Sequence, residues 1–150
     1  MEESFERLTD SVLLSDFSEK MIDFDSLKSF PTDEKAVELR RSHKCNCCQS
    51  VVAALTEDPV LIQAASGFGG GMGNMEGPCG ALVGAVIAAG KKTEGNGTTR
   101  YSRILYEKFR ERSGAVICRE LKGIGTGKVL CPCEDCVRNG VKAFLDVFDN

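Results

Sequence analysis

The sequence predicts an all-α fold: a compact multi-helix domain around a buried small-residue helix at about 79–90, with a glycine-rich loop in front of it. The first observation behind this is the stretch Gly67–Gly90, GFGGGMGNMEGPCGALVGAVIAAG, in which the loop runs through Cys79 into an apolar helix. Ala81–Ala89 is apolar on every face, which predicts burial rather than amphipathic packing at the surface. Gly80 and Gly84 are four apart, as are Ala81 and Ala85, so two adjacent stripes suit close approach of another helix, within the chain or across a homodimer. Pro78 suits a first helical position, where its missing N–H costs nothing. Cys79 then falls in the first turn, where the backbone dipoles favour a thiolate. The second observation is that apolar residues recur at helical spacing, punctuated by glycine, over most of the remaining chain.

Taken in order, residues 1–30 carry Phe5, Leu8, Val12, Phe17, Met21, Phe24 and Leu27 at gaps that suit one or two amphipathic helices. They contain neither cysteine nor histidine and read as a helical N-terminal extension to a cysteine-rich domain over 31–150. Pro31-Thr32-Asp33-Glu34 is a helix start with Thr32 as N-cap, and the helix is expected to reach about Ser42. The basic run Arg40–Lys44 closes it favourably for the helix dipole. His43, the single histidine, reads as a solvated residue near a helix terminus, with metal ligation or proton transfer as its alternatives. One histidine rules out a zinc site with two, and a Ser-His-Asp hydrolase could use only His43.

Cys45-Asn46-Cys47-Cys48 precedes a compact apolar helix over Gln49–Leu55. Asp58-Pro59 opens a short helix, Val60–Ala65, that ends in the glycine loop. A polar loop at Lys91–Thr98 leads to a helix from about Thr99 to Arg112, with Ile104, Leu105 and Phe109 facing inward and Gly114 ending it. Cys118 opens a short helical turn. The last group, Cys131-Pro132-Cys133-Glu134-Asp135-Cys136, leads into a terminal helix with Val137, Val141, Phe144, Leu145 and Phe148 on its apolar side.

At 150 residues the chain is one domain's worth, able to bury a core without staples. A net charge of −3 and a pI near 5.3 argue against nucleic acid or an anionic membrane as partner. The acidic start MEESFERLTD lacks the pattern of a signal peptide. The longest apolar run, Ala81–Ala89, falls far short of the roughly 20 residues a membrane span needs. The expectation is a soluble, cytoplasmic protein. In a reducing compartment, eight cysteines point to metal binding or redox chemistry rather than permanent disulfides.

Two dense cysteine groups, Cys45/Cys47/Cys48 and Cys131/Cys133/Cys136, lie far apart in sequence, with Cys79 and Cys118 alone between them. Thiolates are soft ligands that select zinc or iron–sulfur clusters over magnesium or calcium. Self-contained zinc fingers draw their ligands from paired short spacings, so the lone cysteines imply a centre assembled by tertiary folding. No C-x-x-C-H occurs, which excludes c-type haem attachment. GFGGGMG fits the dinucleotide fingerprint G-x-G-x-x-G in no register, and Ala88–Thr93 lacks the first glycine of a P-loop. Gly69, Gly70 and Gly71 still allow backbone N–H groups to approach a bound cofactor.

These residues resemble a known family. Asn46-Cys47-Cys48-Gln49-Ser50-Val51 is similar to its N-C-A-Q-A-V segment, Ser66–Gly73 to its S-G-F-G-G-G-M-G loop, Cys79–Gly84 to its C-G-A-x-x-G signature, and Cys118–Leu121 to its C-R-E-L element. The chain is identified by this resemblance, over roughly Asp33–Phe148, as a member of the redox-active protein family named for that signature, C_GCAxxG_C_C. The module also resembles the iron–sulfur part of split-Soret cytochromes c. The resemblance implies an all-helical fold with four family cysteines. They carry over to Cys47, Cys79, Cys118 and Cys133, the last because the family cysteine precedes a valine by four positions, here Val137; Cys136 is the alternative. Cys48 stands where the family usually has alanine, and Cys45, Cys131 and Cys136 are additions.

The function expected is electron transfer or redox sensing by an iron–sulfur cluster on these cysteines, with a redox partner protein. A thiol–disulfide protein using Cys79 with a resolving Cys47 or Cys133, and a structural zinc module without turnover, are the alternatives.

Overall fold

The computed structural model describes residues 22–149, and the expectations for Phe5 to Met21 lie outside that range. Seven α-helices run through these residues: α1 (Thr32–Arg41), α2 (Cys47–Thr56), α3 (Pro59–Ala64), α4 (Gly80–Lys92), α5 (Thr98–Ser113), α6 (Cys118–Leu121) and α7 (Cys133–Phe148). Two 3₁₀ turns, Asp25–Leu27 and Ala65–Phe68, and a π-type turn at Gly71–Met75 complete the regular structure. The fold is all-α. No strand occurs among the described residues, whose only sheet-like pairing is an isolated antiparallel bridge between Pro78 and Ile117.

Helix α1 starts one residue earlier than the sequence suggests. Pro31, in extended conformation, is its N-cap, and Thr32 is already helical with no capping hydrogen bond. Helix α2 is capped fully: the Asn46 side chain accepts from the Gln49 amide at 3.0 Å, and the Gln49 side chain accepts from the Asn46 amide at 3.1 Å. This reciprocal box satisfies two helix-end donors that would otherwise have no partner. Asn46 Nδ2 also donates to the Ser66 carbonyl at 2.8 Å, tying the cap to the glycine loop. Asn46→Ala is therefore expected to cost about 0.5–2 kcal/mol, the usual range for a lost cap, read as a lower urea midpoint. Asp58 caps α3 through the amides of Val60 and Leu61.

The small-residue helix α4 sits in the middle, against α2 on one side and α7 on the other. Both stripes are used inside the chain. A Cβ on Gly84 would lie 2.8 Å from the Cys48 carbonyl oxygen, and the Ala81 carbonyl oxygen lies 2.6 Å from where a Cβ on Gly140 of α7 would be. Burial of α4 is not complete, however: Val83, Val86 and Ile87 are only half-buried, because packing from α2 and α7 leaves a third side partly open. Helix α5 presents Leu105 and Phe109 to the core, both 0% exposed, whereas Ile104 is 39% exposed and does not face inward as expected. Helix α7 contributes Val137, Val141 and Phe144.

Apolar side chains form two clusters divided by α2. Val51 joins Ala81, Ala85, Leu105, Phe109, Val137 and Val141. Cys48 and Val52 join Leu39, Cys45, Ile62 and Ala65, with Ile22 and Leu27 from the preceding segment. Surface ion pairs link α1 to the start of α7: Arg41 Nε to Glu134 at 2.8 Å and Arg138 Nε to Glu34 at 2.8 Å. Among the described residues no helix is long and apolar enough to cross a membrane.

Candidate functional site

The chain positions its cysteines by a few specific backbone contacts. At the bridge ahead of α4, the Cys79 amide donates to the Val116 carbonyl at 2.7 Å, and the Cys118 amide donates to the Gly77 carbonyl at 3.0 Å. Two lone cysteines are thereby locked side by side. Helix α4 begins at Gly80, so Cys79 is its N-cap and Pro78 is extended rather than at the first helical position. The bridge to Ile117 holds that extended backbone and delays the helix by two residues.

The glycine loop folds over this pair. Gly77 donates to the Gly71 carbonyl at 3.0 Å, closing the loop on itself. Gly71 has φ 57°, and a Cβ there would lie 2.5 Å from Cβ of Cys118, so only glycine fits. On the other side, a Cβ on Gly80 would lie 2.5 Å from the Cys47 sulfur. These close approaches let Cys47 at the start of α2 reach the mouth of α4. Helix α7 brings the remaining thiols, with Cys133 as its first residue and Cys136 one turn on.

The outcome is one small, partly open cavity of about 100 Å³, lined by Cys47, Cys79, Cys118, Cys133 and Cys136 with Asn46, Gly70, Gly80, Arg40 and Lys122. Four separate segments thus converge on it. All five cysteines singled out from the sequence are brought together. Of the three glycines, Gly70 lines the cavity, while Gly71 backs Cys118 and Gly69 packs on Asn46, where a Cβ would lie 2.6 Å from the Asn46 amide carbon. Cys45 and Cys48 belong to the second apolar cluster instead, so their C-x-x-C spacing marks no site. Burial pushes the Cys45 thiol up to about 11 and the Cys48 thiol higher still, as suits inert core residues. His43 is exposed at φ 60°, in keeping with a solvated residue. A larger hollow of about 510 Å³ lies near the far end of α4, lined by residues such as Lys91, Lys92 and Leu145 and no cysteine.

Two thiols are lowered, Cys131 and Cys79, each to about 7 and each chiefly by a hydrogen bond with Cys136. At Cys79 desolvation opposes the shift, and the Ala81 and Leu82 amides and Lys122 help it. The Cys79 side chain makes no formal capping hydrogen bond, so those amides act mainly through the field of the helix start. Cys136, as the donor, is pushed strongly up by its bonds to Cys131 and Cys79. Desolvation raises Cys47, opposed by the Gly70 amide, and it also raises Cys118. Lys122 donates to the Cys136 sulfur at 3.5 Å and to the Cys131 carbonyl at 3.1 Å. Burial works against its charge, but the thiols of Cys136, Cys133 and Cys79 outweigh that and raise it.

Two cationic residues in the cavity wall were not singled out from the sequence. Lys122 follows C-R-E-L on a four-residue helix, and Arg40 lies within a basic run that reads as a solvated helix end. Arg40 Nε is buried with no hydrogen-bond partner. Neither has a sequence signal that distinguishes it from a surface cation. All eight cysteines are free thiols. Among the described residues, no three His, Cys, Asp or Glu side chains are grouped so as to hold a metal ion.

A helical fold that gathers thiols from distant segments around a cavity with half-buried cations is that of a cysteine-rich redox protein. Residues 45–147 match the model of one family of this class, described as "Putative redox-active protein (C_GCAxxG_C_C)", and the chain belongs to that family. The C-G-A-L-V-G run at Cys79–Gly84 lies within the matched residues. Comparison with curated proteins returns no match, and neither does comparison with solved structures.

Proposed function

We propose that this redox-active protein binds an iron–sulfur cluster through Cys47, Cys79, Cys118 and Cys133 and serves in electron transfer or redox sensing with a protein partner in the cytoplasm. The observation that carries the reading is the convergence of cysteines from four segments on one small cavity. Clusters of the common kinds take four such ligands. The donor set suits that group in two further respects. The cavity, about 100 Å³, is bounded by backbone at Gly80, where an added Cβ would lie 2.5 Å from the Cys47 sulfur, so a compact group suits it better than a further side chain. Arg40 Nε, buried and unpaired, offers a donor to an anionic group whose sulfurs accept hydrogen bonds.

When bound, the cluster supplies one-electron chemistry. The protein's own residues exclude water, through the burial of Cys79 and Cys118, and place the Lys122 and Arg40 cations and the Gly70 amide around the sulfurs. Such neighbours set the potential at which an electron is held. A second reading has its own support. Cys79, held at about 7 and hydrogen-bonded to Cys136, has the character of an attacking thiolate, with Cys136 rather than Cys47 or Cys133 as its resolving partner.

Anaerobic purification followed by iron, zinc and acid-labile sulfide analysis tests the proposal. The expected result is a brown protein with iron and sulfide in comparable amounts, bleached by dithionite. A colourless protein whose free thiols fall reversibly with mild oxidant favours the thiol–disulfide reading. Stoichiometric zinc without sulfide favours a structural site.

A further inference from the structure

Cys131 and Cys136 make a second pair of sulfurs beside the four proposed ligands. Both are buried, at 4% and 0% exposure. The Cys136 sulfur lies 3.5 Å from the Cys131 carbonyl oxygen, and its one S–H has the Cys131 and Cys79 sulfurs as alternative acceptors. Polar side chains enclose the two. Lys122 Nζ reaches the Cys136 sulfur at 3.5 Å, and Asn139 Nδ2 reaches the Cys131 sulfur at 3.7 Å while donating to Ser113 Oγ at 2.9 Å. Thiols that serve only as packing need no such surroundings. Cys45 and Cys48, equally buried, have apolar neighbours instead.

We propose that Cys131 and Cys136 are a dithiol–disulfide pair, a redox site separate from the cluster ligands, oxidised by a small peroxide. The size of the oxidant follows from the burial: a protein disulfide cannot reach either sulfur. A small molecule meets Cys131 first, because the chain just before it is open, with Val129 and Leu130 57% and 46% exposed. The Cys131 sulfur attacks one peroxide oxygen, the O–O bond breaks, and the departing hydroxide leaves as water with the proton Cys131 gave up. Cys131 is then a sulfenic acid. The Cys136 sulfur attacks it, the S–O bond breaks as the S–S bond forms, and hydroxide takes the Cys136 proton to leave as a second water. Two thiols and one hydrogen peroxide thus give one disulfide and two waters. Lys122, 3.5 Å from the Cys136 sulfur and 3.1 Å from the Cys131 carbonyl, holds the two residues together during the exchange. A dithiol reverses the change by thiol–disulfide exchange. In the disulfide, Cys136 has no proton to share with Cys79, so the state of the pair is felt in the cavity.

This chemistry goes beyond the cluster reading and needs no bound metal. The test uses the full-length protein, purified anaerobically, treated with hydrogen peroxide, denatured, alkylated and cut with trypsin. One peptide, residues 129–138, carries Cys131, Cys133 and Cys136. The expected product has Cys133 alkylated and Cys131 joined to Cys136, and dithiothreitol restores all three thiols. Alkylation of all three after peroxide, or a bond that uses Cys133 or Cys79, overturns the proposal. Cys131→Ser is expected to abolish the disulfide while leaving iron and sulfide content unchanged; loss of iron with retained helical circular dichroism would make Cys131 a ligand and sink the proposal. The two readings fail separately: a disulfide in iron-free wild type removes the cluster alone, and iron and sulfide without the disulfide remove the pair alone.

Discussion

Gly84→Ala is expected to lower stability by about 1–3 kcal/mol, the range for overpacking a well-filled core. The added methyl would sit 2.8 Å from the Cys48 carbonyl oxygen and 2.9 Å from Cβ of Val51. Neither neighbour can rotate away, since one is backbone and the other is the branch point of a fully buried side chain on α2. Relief requires α2 and α4 to separate, which also moves Cys47 from the mouth of α4. Gly90, on the same helix with nothing within 4 Å of an added Cβ, is the control. Gly90→Ala should stabilise by up to about 1 kcal/mol, as alanine is the better helix former. Urea unfolding followed by circular dichroism measures both. A Gly84→Ala midpoint at or above that of the wild type would show that the helices are not in close contact there.

Cys79→Ser is expected to abolish cofactor loading, whereas Cys48→Ala leaves it intact. Cys79 lines the cavity at the N-cap of α4, and the helix start and Lys122 favour its thiolate, the form a soft metal binds. A serine hydroxyl retains the shape but not the soft donor. Cys48 is adjacent in sequence to a cavity cysteine yet points into the second apolar cluster at 0% exposure. Its replacement by alanine removes one buried sulfur and costs about 1 kcal/mol of packing. Iron and sulfide content of the two variants, purified side by side, reads the result. Equal loss from both would mean that the thiols act through the fold rather than as ligands.

Much of the helical architecture could be read without coordinates, because local rules produce it. Asp58-Pro59 is a capping pattern and caps its helix as such patterns do. Asn46 with Gln49 is one too, but the sequence reading opens that helix at Gln49, two residues after the capped α2 begins. The stripes on α4 were equally legible, since small residues at helical spacing serve close packing whatever the partner. Local rules failed where a distant segment intervened. Pro78 has every local reason to begin a helix, but pairing with Ile117 keeps it extended and makes Cys79 the cap. Ile104 shares the apolar character of Leu105, yet only one of two adjacent helical positions can face the core that α7 completes.

From the amino-acid order alone came the all-α class, the central small-residue helix, and five cysteines fit to share one soft centre. Tertiary structure decided which thiols meet and what surrounds them. It sent Cys45 and Cys48 into the core, brought Lys122 and an unpaired Arg40 Nε to the cavity, and set Cys136 between Cys79 and Cys131. The reason is physical. Periodicity and capping act over a few residues, whereas the meeting of a sulfur and a cation from different helices depends on how those helices cross, and that is set by the summed packing of the whole core.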